Sequence, residues 1–318
     1  MNDSKDPRYP TSNLHPHPIL IAGPTAVGKS KIALALAEAS GGEIISVDSM
    51  QVYRGLNIGT AKPGAADRQR VLHHLIDVLD LTESFDAAKF VALAKQAVAE
   101  IQLRGRVPIL CGGTGLYFKA FLEGLGESPP SDPKLRAELE ATLLVDLLGE
   151  LEQRDPATFA RIDRKNLRRV IRAVEVIRLT GKPFSAQRAA WNEAGEMKKQ
   201  ETILALIRQP KDLHSRINAR VDRMFAAGLV EETRRLLGHG LEQNPTAMQA
   251  IGYRQVVEFL RGDRALQETI DLVKIRTRQF AKRQITWFRK QVNVKSVELS
   301  PTDGGQQATS RILSLLRE

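Results

Sequence analysis

The chain has 318 residues, of which 42% are apolar, and its 47 Lys and Arg outnumber its 37 Asp and Glu to give a formal net charge of +10. This length corresponds to about two domains, and the apolar content excludes a wholly disordered chain. No apolar run reaches the roughly 18 residues of a membrane-spanning helix, and the polar first residues contain no signal-peptide core. The single cysteine, Cys111, excludes a disulfide framework. We therefore expect a cytoplasmic protein that has no membrane partner.

The basic residues are unevenly distributed. Residues 1–120 contain 13 Lys and Arg against 11 Asp and Glu, whereas residues 164–220 contain 14 against 5. A second basic stretch, residues 270–295, contains 8 against 1. Positive charge concentrated in this way favours a polyanionic partner, but solvated helix faces produce the same pattern. Composition alone leaves both interpretations open.

Strand-like and helix-like segments alternate in the first third of the chain. Short apolar runs predict four strands, at Pro18–Ala22, Glu43–Val47, His74–Val78 and Val107–Cys111. Helices are predicted between them, over Lys29–Ala39 and Phe85–Leu103. Continuous apolar strands separated by helices are typical of a parallel sheet that is covered on both faces, so we predict an α/β fold.

The pattern changes near Gly124. Residues 124–200 combine prolines with charged helical periods and contain no convincing strand, and the strand pattern resumes at Thr202–Ile207. We predict a helical insertion at 124–200, a discontinuous sheet-based core formed by residues 17–123 and 201–300, and tails at 1–16 and 301–318. The later predicted elements are helices over Lys211–Leu237, Ala247–Leu260 and Ala265–Gln291, a strand over Val294–Leu299 and a short last helix.

The first strand runs into a glycine-rich loop, Gly23–Ser30, with the sequence GPTAVGKS. It matches the P-loop pattern G-x-x-x-x-G-K-[ST] between a strand and a helix, which is the context that this motif requires. Its glycines let backbone N–H groups surround an anion, and the helix N-terminus and Lys29 add positive charge. The Ser30 hydroxyl is a candidate ligand for Mg²⁺. The loop therefore predicts a site for a diphosphate or a triphosphate.

Two further polar loops follow strands. Asp48 opens an irregular stretch that runs to Pro63, and its carboxylate could bind magnesium, accept a proton or only cap a helix. Gly112 and Gly113 permit a close approach of substrate, and Thr114 offers a hydroxyl. Because ligands bind at the carboxyl ends of parallel strands, we expect these loops to meet. These observations fit a small-molecule P-loop kinase or an NTPase equally well.

The combination of motifs resembles the tRNA dimethylallyltransferases, also called isopentenyl-tRNA transferases. The resemblance runs in order from about Ile19 to Arg289 and is carried by GPTAVGKS, ISVDSMQVYRGLNIGTAKP, GGTGLYFKAFLEGL, NLRRVIRAVEVIRLTGKP, RINARVDRMFAAGLVEE, AIGYRQ and TRQFAKRQITWFR. Several motifs in sequence are far more specific than a lone P-loop. The resemblance implies a P-loop NTPase-like parallel core and transfer of a prenyl group, assisted by Mg²⁺, from dimethylallyl diphosphate to an adenine amine of tRNA. That adenine lies immediately 3′ of the anticodon in tRNAs that read codons beginning with U.

The resemblance also implies roles for individual residues around the donor. Asp48 is expected to be the general base, Arg220 to stabilise the leaving diphosphate, and Thr25 to contact the diphosphate or position Asp48. Arg216, one helical turn before Arg220, is expected to be a solvated charge. The expected diphosphate contacts are Gly23, Pro24, Thr25, Ala26, Val27, Gly28, Lys29 and Ser30, with Ser30 also at the metal.

The tRNA partner is expected to bind through its anticodon stem-loop, with the target adenine flipped out of its stack. The resemblance implies contacts with this RNA from Asp48, Ser49, Met50, Gln51, Thr114, Arg168, Arg169, Val170, Ile171, Arg172, Gly252, Tyr253 and Arg254. Basic residues between Arg276 and Lys290 are expected to contact the stem backbone. Trp287 and Phe288 are expected in the core rather than on bases, and Cys111 as a packed thiol near the site.

Three other functions remain open from the sequence: prenyl transfer to free adenine nucleotides, a P-loop small-molecule kinase, and a nucleic-acid-binding NTPase. The basic insertion and C-terminal helices favour the tRNA interpretation over free nucleotides. We expect a monomer with no obligate protein partner, because the recognisable motifs need only one chain.

Overall fold

The computed structural model describes residues 17–125, 129–186, 202–301, 303 and 305–317. The predicted tail at 1–16 and the end of the predicted insertion, residues 187–200, lie outside the described residues. The chain divides into two compact units, one formed by Met1–Lys119 with Glu201–Glu318 and the other by Ala120–Gln200.

The first unit contains a sheet of six strands. They are Ile19–Ala22 (β1), Glu43–Val47 (β2), His73–His74 (β3), Pro108–Gly112 (β4), Ile203–Ile207 (β5) and Val294–Glu298 (β6). Their order across the sheet is β3-β2-β4-β1-β5-β6, and all five pairings are parallel. The predicted α/β class with a P-loop-like parallel sheet is confirmed. The loops after β1, β2 and β4, neighbours in this order, leave the same edge of the sheet.

Helices connect these strands. In chain order they are Lys29–Ser40 (α1), Ala65–Arg70 (α2), Ala87–Leu103 (α3) and Gly115–Glu123 (α4). After four helices of the second unit, whose ranges are given below, they continue with Pro210–Ala226 (α9), Leu229–Leu237 (α10), Tyr253–Leu260 (α11), Leu266–Gln291 (α12) and Gly305–Arg317 (α13). Ile19 and Ile21 of β1 pack in one core with residues of α1 and α12. Leu20, which points to the opposite face, is also buried, so both faces of the sheet are covered.

The structure differs from the predicted C-terminal tail at 301–318. Helix α13 packs against α1, and its Ala308 and Ile312 belong to the core of the sheet. Arg311 fastens the start of this segment, because its guanidinium donates to the carbonyl of Glu298 at 2.8 Å and to Asp303 at 2.9 Å. The last helix is therefore part of the first unit's fold.

Two predicted helices are shorter in the structure, and a glycine is the reason in each case. The predicted helix Lys211–Leu237 is divided at Gly228, whose φ of +96° a helix cannot continue through. The predicted helix Ala247–Leu260 becomes a 3₁₀ turn and then α11, which begins after Gly252 with φ +104°. Positive φ is the left-handed region that glycine adopts at little cost.

The predicted strand His74–Val78 is also much shorter. Only His73 and His74 pair with β2, because Leu75 and Asp77 have positive φ values of 60° and 55°. A chain in this conformation cannot remain extended. The third strand therefore ends at His74, although the apolar pattern of the sequence continues to Val78.

The described part of the second unit contains helices only. They are Pro133–Ala141 (α5), Leu144–Arg154 (α6), Pro156–Arg161 (α7) and Leu167–Thr180 (α8). Asp132, Asp155 and Asn166 cap α5, α7 and α8 by accepting backbone N–H groups of the first turn. Leucines of α5 and α6 pack against the apolar face of α8 to form a separate core. In the ranges given above, no helix is both long enough and apolar enough to cross a membrane.

Candidate active site

The loop between β1 and α1 has the conformation of a phosphate cradle. Gly23, Ala26 and Gly28 all have positive φ, at 148°, 64° and 115°. A Cβ atom on Gly23 would lie 2.6 Å from the carbonyl oxygen of Leu206, so only glycine fits there. Within the described chain, no protein acceptor binds the backbone N–H groups of Ala26 and Gly28. These groups are therefore available to an anion.

Lys29 binds the carbonyl oxygens at the start of this loop. Its Nζ donates to Gly23 at 2.9 Å and to Pro24 at 2.8 Å. Burial lowers the pKa of the Lys29 ammonium to about 8, with Cys111 and Asp48 opposing the shift and Arg220 adding to it. The ammonium is thus poorly solvated before any ligand arrives, which favours its pairing with a diphosphate.

Two arginines bind the carbonyl oxygens at the end of the loop. Arg216 Nε donates to Ala26 at 3.0 Å, and Arg208 Nε donates to Val27 at 2.8 Å. The prediction that Arg216 is a solvated charge is therefore wrong. The signal was absent from the sequence, because the partner is a backbone carbonyl 190 residues away. Four loop carbonyls are now bound by cations, so the loop presents N–H groups rather than oxygens to a ligand.

Asp48 stands at the carboxyl end of β2 with one of its oxygens free. Its Oδ1 accepts the backbone N–H of Met50 at 2.8 Å and of Gln51 at 3.2 Å. In the described part of the chain, no donor binds Oδ2 of this half-buried carboxylate. The turn therefore fixes the orientation of Asp48 and leaves a lone pair that can accept a proton.

The loop after β2 brings Arg220 close to Asp48. Gln51 accepts from Ser46 Oγ at 2.9 Å and donates Nε2 to the carbonyl of Thr60 at 3.2 Å. Arg220 Nη2 reaches the same carbonyl at 3.5 Å. Burial lowers the pKa of the Arg220 guanidinium, and the Asp48 carboxylate acts in the opposite direction. An anion and a half-buried cation thus share the cleft beside the P-loop.

Gln284 of α12 is a site residue that sequence reasoning missed. Its Oε1 accepts the backbone N–H of Thr25 at 2.9 Å, and its Nε2 donates to the carbonyl of Gly113 at 2.9 Å. The side chain therefore joins the P-loop to the loop after β4. A glutamine within a long basic helix gives no signal of such a contact.

The loop after β4 lies against β2. Thr114 donates its backbone N–H to the carbonyl of Val47 at 3.2 Å, next to Asp48. Gly112 allows this approach, since a Cβ there would lie 2.0 Å from that carbonyl oxygen. The three loops predicted to meet are thus brought together at one edge of the sheet.

Smaller features complete the cleft. Ser30 is exposed at the first turn of α1, and Ser30, Gln51 and Cys111 line one small cavity. Cys111 is buried, as predicted, and burial raises the pKa of its thiol to about 11. The thiol is therefore neutral near pH 7 and is a poor nucleophile. Ser49 and Met50 are half-buried in the loop that carries Asp48.

Tyr253 does not reach the surface. Its side chain is fully buried, its hydroxyl donates to Glu232 Oε1 at 2.5 Å, and the N–H of Gly59 donates to that hydroxyl at 3.1 Å. The predicted contact with tRNA is therefore unavailable to the Tyr253 side chain, which instead fixes the loop after β2. Its neighbour Gly252 is also buried, whereas Arg254 is exposed.

The residues of α8 that were predicted to contact RNA are likewise partly buried and partly exposed. Val170 and Ile171 are buried in that unit's core, so their side chains cannot contact RNA. Arg168 and Arg169 are exposed. Arg172 is held inside its own unit, where it donates to Glu175 at 2.7 Å and to the carbonyl of Pro129 at 2.6 Å. The alternation of core and surface on one helix explains why a contiguous prediction was partly wrong.

Helix α12 carries a basic groove in the first unit. The groove has a volume of about 490 Å³ and is lined by Gln279, Lys282, Arg283, Thr286, Trp287, Lys290 and Gln291. Trp287 is half-buried, and its ring packs directly over Gly115. Phe288 lies in the core against Phe118, as predicted. Within residues 279–291 of α12, the charged residues that line the groove are all cations.

Comparisons with known proteins agree with this arrangement. The model of the IPP transferase family matches residues 51–291. The chain is 45% identical over 280 residues to tRNA dimethylallyltransferase 1 of Citrifermentans bemidjiense, covering 88% of this chain and 91% of that protein.

Solved structures give the same result. The full-length tRNA isopentenylpyrophosphate transferase of Bacillus halodurans is 40% identical with a TM-score of 0.69, covering 94% of this chain and 95% of that one. A eukaryotic dimethylallyltransferase acting on tRNA is 27% identical with a TM-score of 0.77, covering 94% of this chain and 79% of that one. This chain therefore belongs to the tRNA dimethylallyltransferase family.

Proposed function

We propose that this protein transfers a dimethylallyl group from dimethylallyl diphosphate to the exocyclic amine of the adenine immediately 3′ of the anticodon, in tRNAs that read codons beginning with U. The main support for the proposal is the cleft in which Asp48, with one carboxylate oxygen that no described residue binds, faces the same space as Arg220 and the P-loop. A proton acceptor and an anion cradle are the two parts that this reaction needs.

The donor binds through its diphosphate in the P-loop. The N–H groups of Ala26 and Gly28 and the N-terminus of α1 meet the phosphate oxygens, and Lys29 adds a positive charge. Arg208 and Arg216 hold the opposite side of the loop. This preorganised cradle costs no reorganisation when the negative charge of the leaving diphosphate develops.

Transfer proceeds by attack of the adenine nitrogen on the allylic carbon. The carbon–oxygen bond to the diphosphate breaks as the carbon–nitrogen bond forms, and the diphosphate leaves with the electron pair. The nitrogen becomes acidic during this step, and the free Oδ2 of Asp48 accepts its proton. Such general-base assistance contributes about 10²–10⁴-fold to a rate. Arg220 offsets the charge of the departing diphosphate.

Magnesium fits this site through a small set of oxygens. Within the described residues, no three His, Cys, Asp or Glu side chains form a metal cluster. The exposed Ser30 hydroxyl at the loop would hold Mg²⁺ together with phosphate oxygens, which is a common arrangement for this ion. When bound, the ion neutralises part of the diphosphate charge.

The acceptor tRNA presents a flipped adenine to the cleft. We assign contacts with this base to Ser49, Met50, Gln51 and Thr114, which lie in the loop that carries Asp48 and in the loop after β4. The exposed Arg168, Arg169 and Arg254 and the basic groove on α12 bind phosphates, which adds affinity without sequence choice. Arg172 supports its own unit, and the core residues Val170, Ile171 and Tyr253 support the surfaces beside them.

One assay separates this function from its alternatives. Purified protein is mixed with Mg²⁺, radiolabelled dimethylallyl diphosphate, and either unmodified tRNA or AMP. We expect label in tRNA only. Label in AMP but not in tRNA would contradict the proposal and favour a nucleotide prenyltransferase. Consumption of ATP in a parallel reaction, with neither acceptor labelled, would favour a kinase or an NTPase.

A further inference from the structure

Gln284 is a buried polar residue to which the proposed reaction assigns no role. It lies in the middle of α12, and its side chain is 7% exposed. Buried amides are retained in proteins where both ends are hydrogen-bonded, and both ends of Gln284 bond to backbone groups far away in sequence. These two groups belong to two different substrate-binding loops.

Each hydrogen bond fixes one loop. Oε1 accepts the N–H of Thr25, which holds the centre of the P-loop to α12 at 2.9 Å. Nε2 donates to the carbonyl of Gly113, one residue before Thr114 in the loop proposed to contact the adenine. The orientation of a single planar amide therefore sets the distance between the donor loop and the acceptor loop.

Neighbouring residues pack closely around the Gln284 amide and its helix. A Cβ atom on residue 113 would lie 2.3 Å from Gln284 Nε2, so the glycine is required for the contact. Ala281 and Phe288, one turn before and after Gln284, are buried in the core and anchor the helix. Phe288 also packs edge-on against Phe118 of α4, the helix that follows the Gly113 loop. The bridge is thus attached to rigid elements.

We propose that Gln284 is a positioning residue that aligns the allylic carbon of the donor with the amine of the acceptor. This inference rests on the proposed function. Gln284 touches neither reacting atom and acts through Thr25 and Gly113. Misalignment of reacting groups by about 1 Å can cost about 100-fold in rate, while the separate binding of each substrate is retained.

A loosened bridge also has a chemical signature. When the amine is out of line, the oxygen of a water molecule can attack the allylic carbon instead, which gives dimethylallyl alcohol, diphosphate and a proton. The ratio of alcohol to prenylated tRNA therefore reports alignment. A loss of folding lowers both products together and leaves their ratio unchanged.

The first variant is Gln284→Met, which keeps the length of the side chain and removes both hydrogen bonds. We expect a kcat for transfer about 100-fold lower, dissociation constants for donor and tRNA within about 3-fold, and a higher ratio of alcohol to product. Thr269→Val is the matched control. Thr269 is a buried polar residue of the same helix whose hydroxyl, among the described residues, bonds only the carbonyl of Ala265. Its kcat and product ratio are expected to match those of the unchanged protein.

The second variant, Gln284→Glu, tests the bridge even if the Met variant folds poorly. A carboxylate can accept from Thr25 but repels the Gly113 carbonyl, whereas the protonated acid can donate to that carbonyl. The rate of the Glu variant divided by the rate of the unchanged protein should therefore rise as the pH falls from 8 to 5. A flat ratio, or a Met variant with an unchanged kcat, would overturn the inference.

Hydrogen exchange separates this inference from the proposed function. The Thr25 amide should exchange faster in Gln284→Met than in the unchanged protein or in Thr269→Val, whatever the substrate. If the unchanged protein fails to label tRNA while the Thr25 amide responds as expected, the proposed function is wrong and the bridge stands. If tRNA is labelled and neither the exchange nor the product ratio changes, the positioning role is wrong.

Discussion

Two carboxylates show how differently the two units use their charges. In the helical unit, Glu175 is completely buried and both of its oxygens are bound, one by Ser131 and the N–H of Asp132 and the other by Arg172. In the sheet-based unit, one oxygen of Asp48 is bound, whereas no donor among the described residues binds the other. A fully bound carboxylate holds a structure together, whereas a half-bound one can accept a proton.

The cations differ in the same way. Lys29, Arg208 and Arg216 bind backbone carbonyls of a single loop, so their charge shapes an anion site. In the helical unit, Arg178 bonds to Glu150 and Glu138. Much of the positive charge counted in residues 164–220 is therefore used inside the protein. A local excess of positive charge in the sequence therefore overstates the surface available to RNA.

The largest effect is expected at the half-bound carboxylate. Asp48→Asn keeps an oxygen that can accept from Met50 and Gln51, so the turn is preserved, but it removes the base. We expect the single-turnover rate of prenyl transfer to fall about 10²–10⁴-fold with tRNA affinity unchanged. Rapid-quench kinetics and filter binding measure the two quantities. Weakened tRNA binding at an unchanged rate would contradict the assignment of Asp48 as the base.

In the helical unit, substitution of Arg172 should lower stability, whereas substitution of Asp48 lowers the reaction rate. Arg172→Ala leaves Glu175 without its closest cation, so we expect the free energy of unfolding to fall by about 2 kcal/mol. Arg169→Ala is the matched variant on the same helix; no carboxylate among the described residues pairs with this exposed side chain. The free energy of unfolding of Arg169→Ala should stay within about 0.5 kcal/mol of that of the unchanged protein. The slope of the logarithm of tRNA affinity against the logarithm of salt concentration should fall by about one, as expected for the loss of one phosphate contact. Urea denaturation measures the stability of both variants, and binding titrations at several salt concentrations measure the phosphate contact. Equal stability of the two variants would contradict a structural role for Arg172.

Loss of a cation that binds the P-loop should weaken the binding of the donor and leave tRNA binding unchanged. Arg216→Met removes the contact with the Ala26 carbonyl, which frees that peptide to rotate. We expect the dissociation constant of dimethylallyl diphosphate to rise about 10-fold, as for one charge-assisted hydrogen bond, with tRNA binding unchanged. Isothermal titration calorimetry measures the donor affinity. An unchanged affinity would show that the loop keeps its shape without Arg216.

The smallest predicted effect is a pH dependence of donor binding. Because the pKa of Lys29 is lowered to about 8, its ammonium loses its proton as the pH rises from 7 to 9. The diphosphate prefers the charged form, so donor affinity should fall by up to about 10-fold over this range, with proton uptake on binding above pH 8. Lys29→Arg, which keeps its charge throughout, should flatten the dependence. Calorimetry in buffers of different ionisation enthalpy gives the proton uptake directly.

The fold was largely predictable because its signals are local. Continuous apolar runs such as Glu43–Val47 identified the strands, and the glycine pattern of Gly23–Ser30 identified the loop that must bind an anion. Helix limits were less predictable. Gly228 and Gly252 interrupt long amphipathic patterns only because the folded chain places them in left-handed conformations.

A residue of the site was predictable from the sequence only where its role follows from its place in a loop that comes directly after a strand. Asp48 follows a strand, so its place at the sheet edge could be inferred. Gln284 and Arg216 instead bind backbone atoms that lie 171 or more residues away, and Tyr253 is buried by its bond to Glu232, which no local pattern encodes. Long-range contacts to backbone groups leave no residue-type signature in a single sequence.

The identity of the modified base is the most direct test of the proposed prenyl transfer and of Asp48 as its base. Unmodified tRNA that reads a codon beginning with U is incubated with the protein, Mg²⁺ and dimethylallyl diphosphate, then digested with nuclease and analysed by tandem mass spectrometry. We expect one added C5H8 unit on the adenine immediately 3′ of the anticodon, and almost none with Asp48→Asn. Addition at another base, or equal addition by the Asn variant, would contradict it.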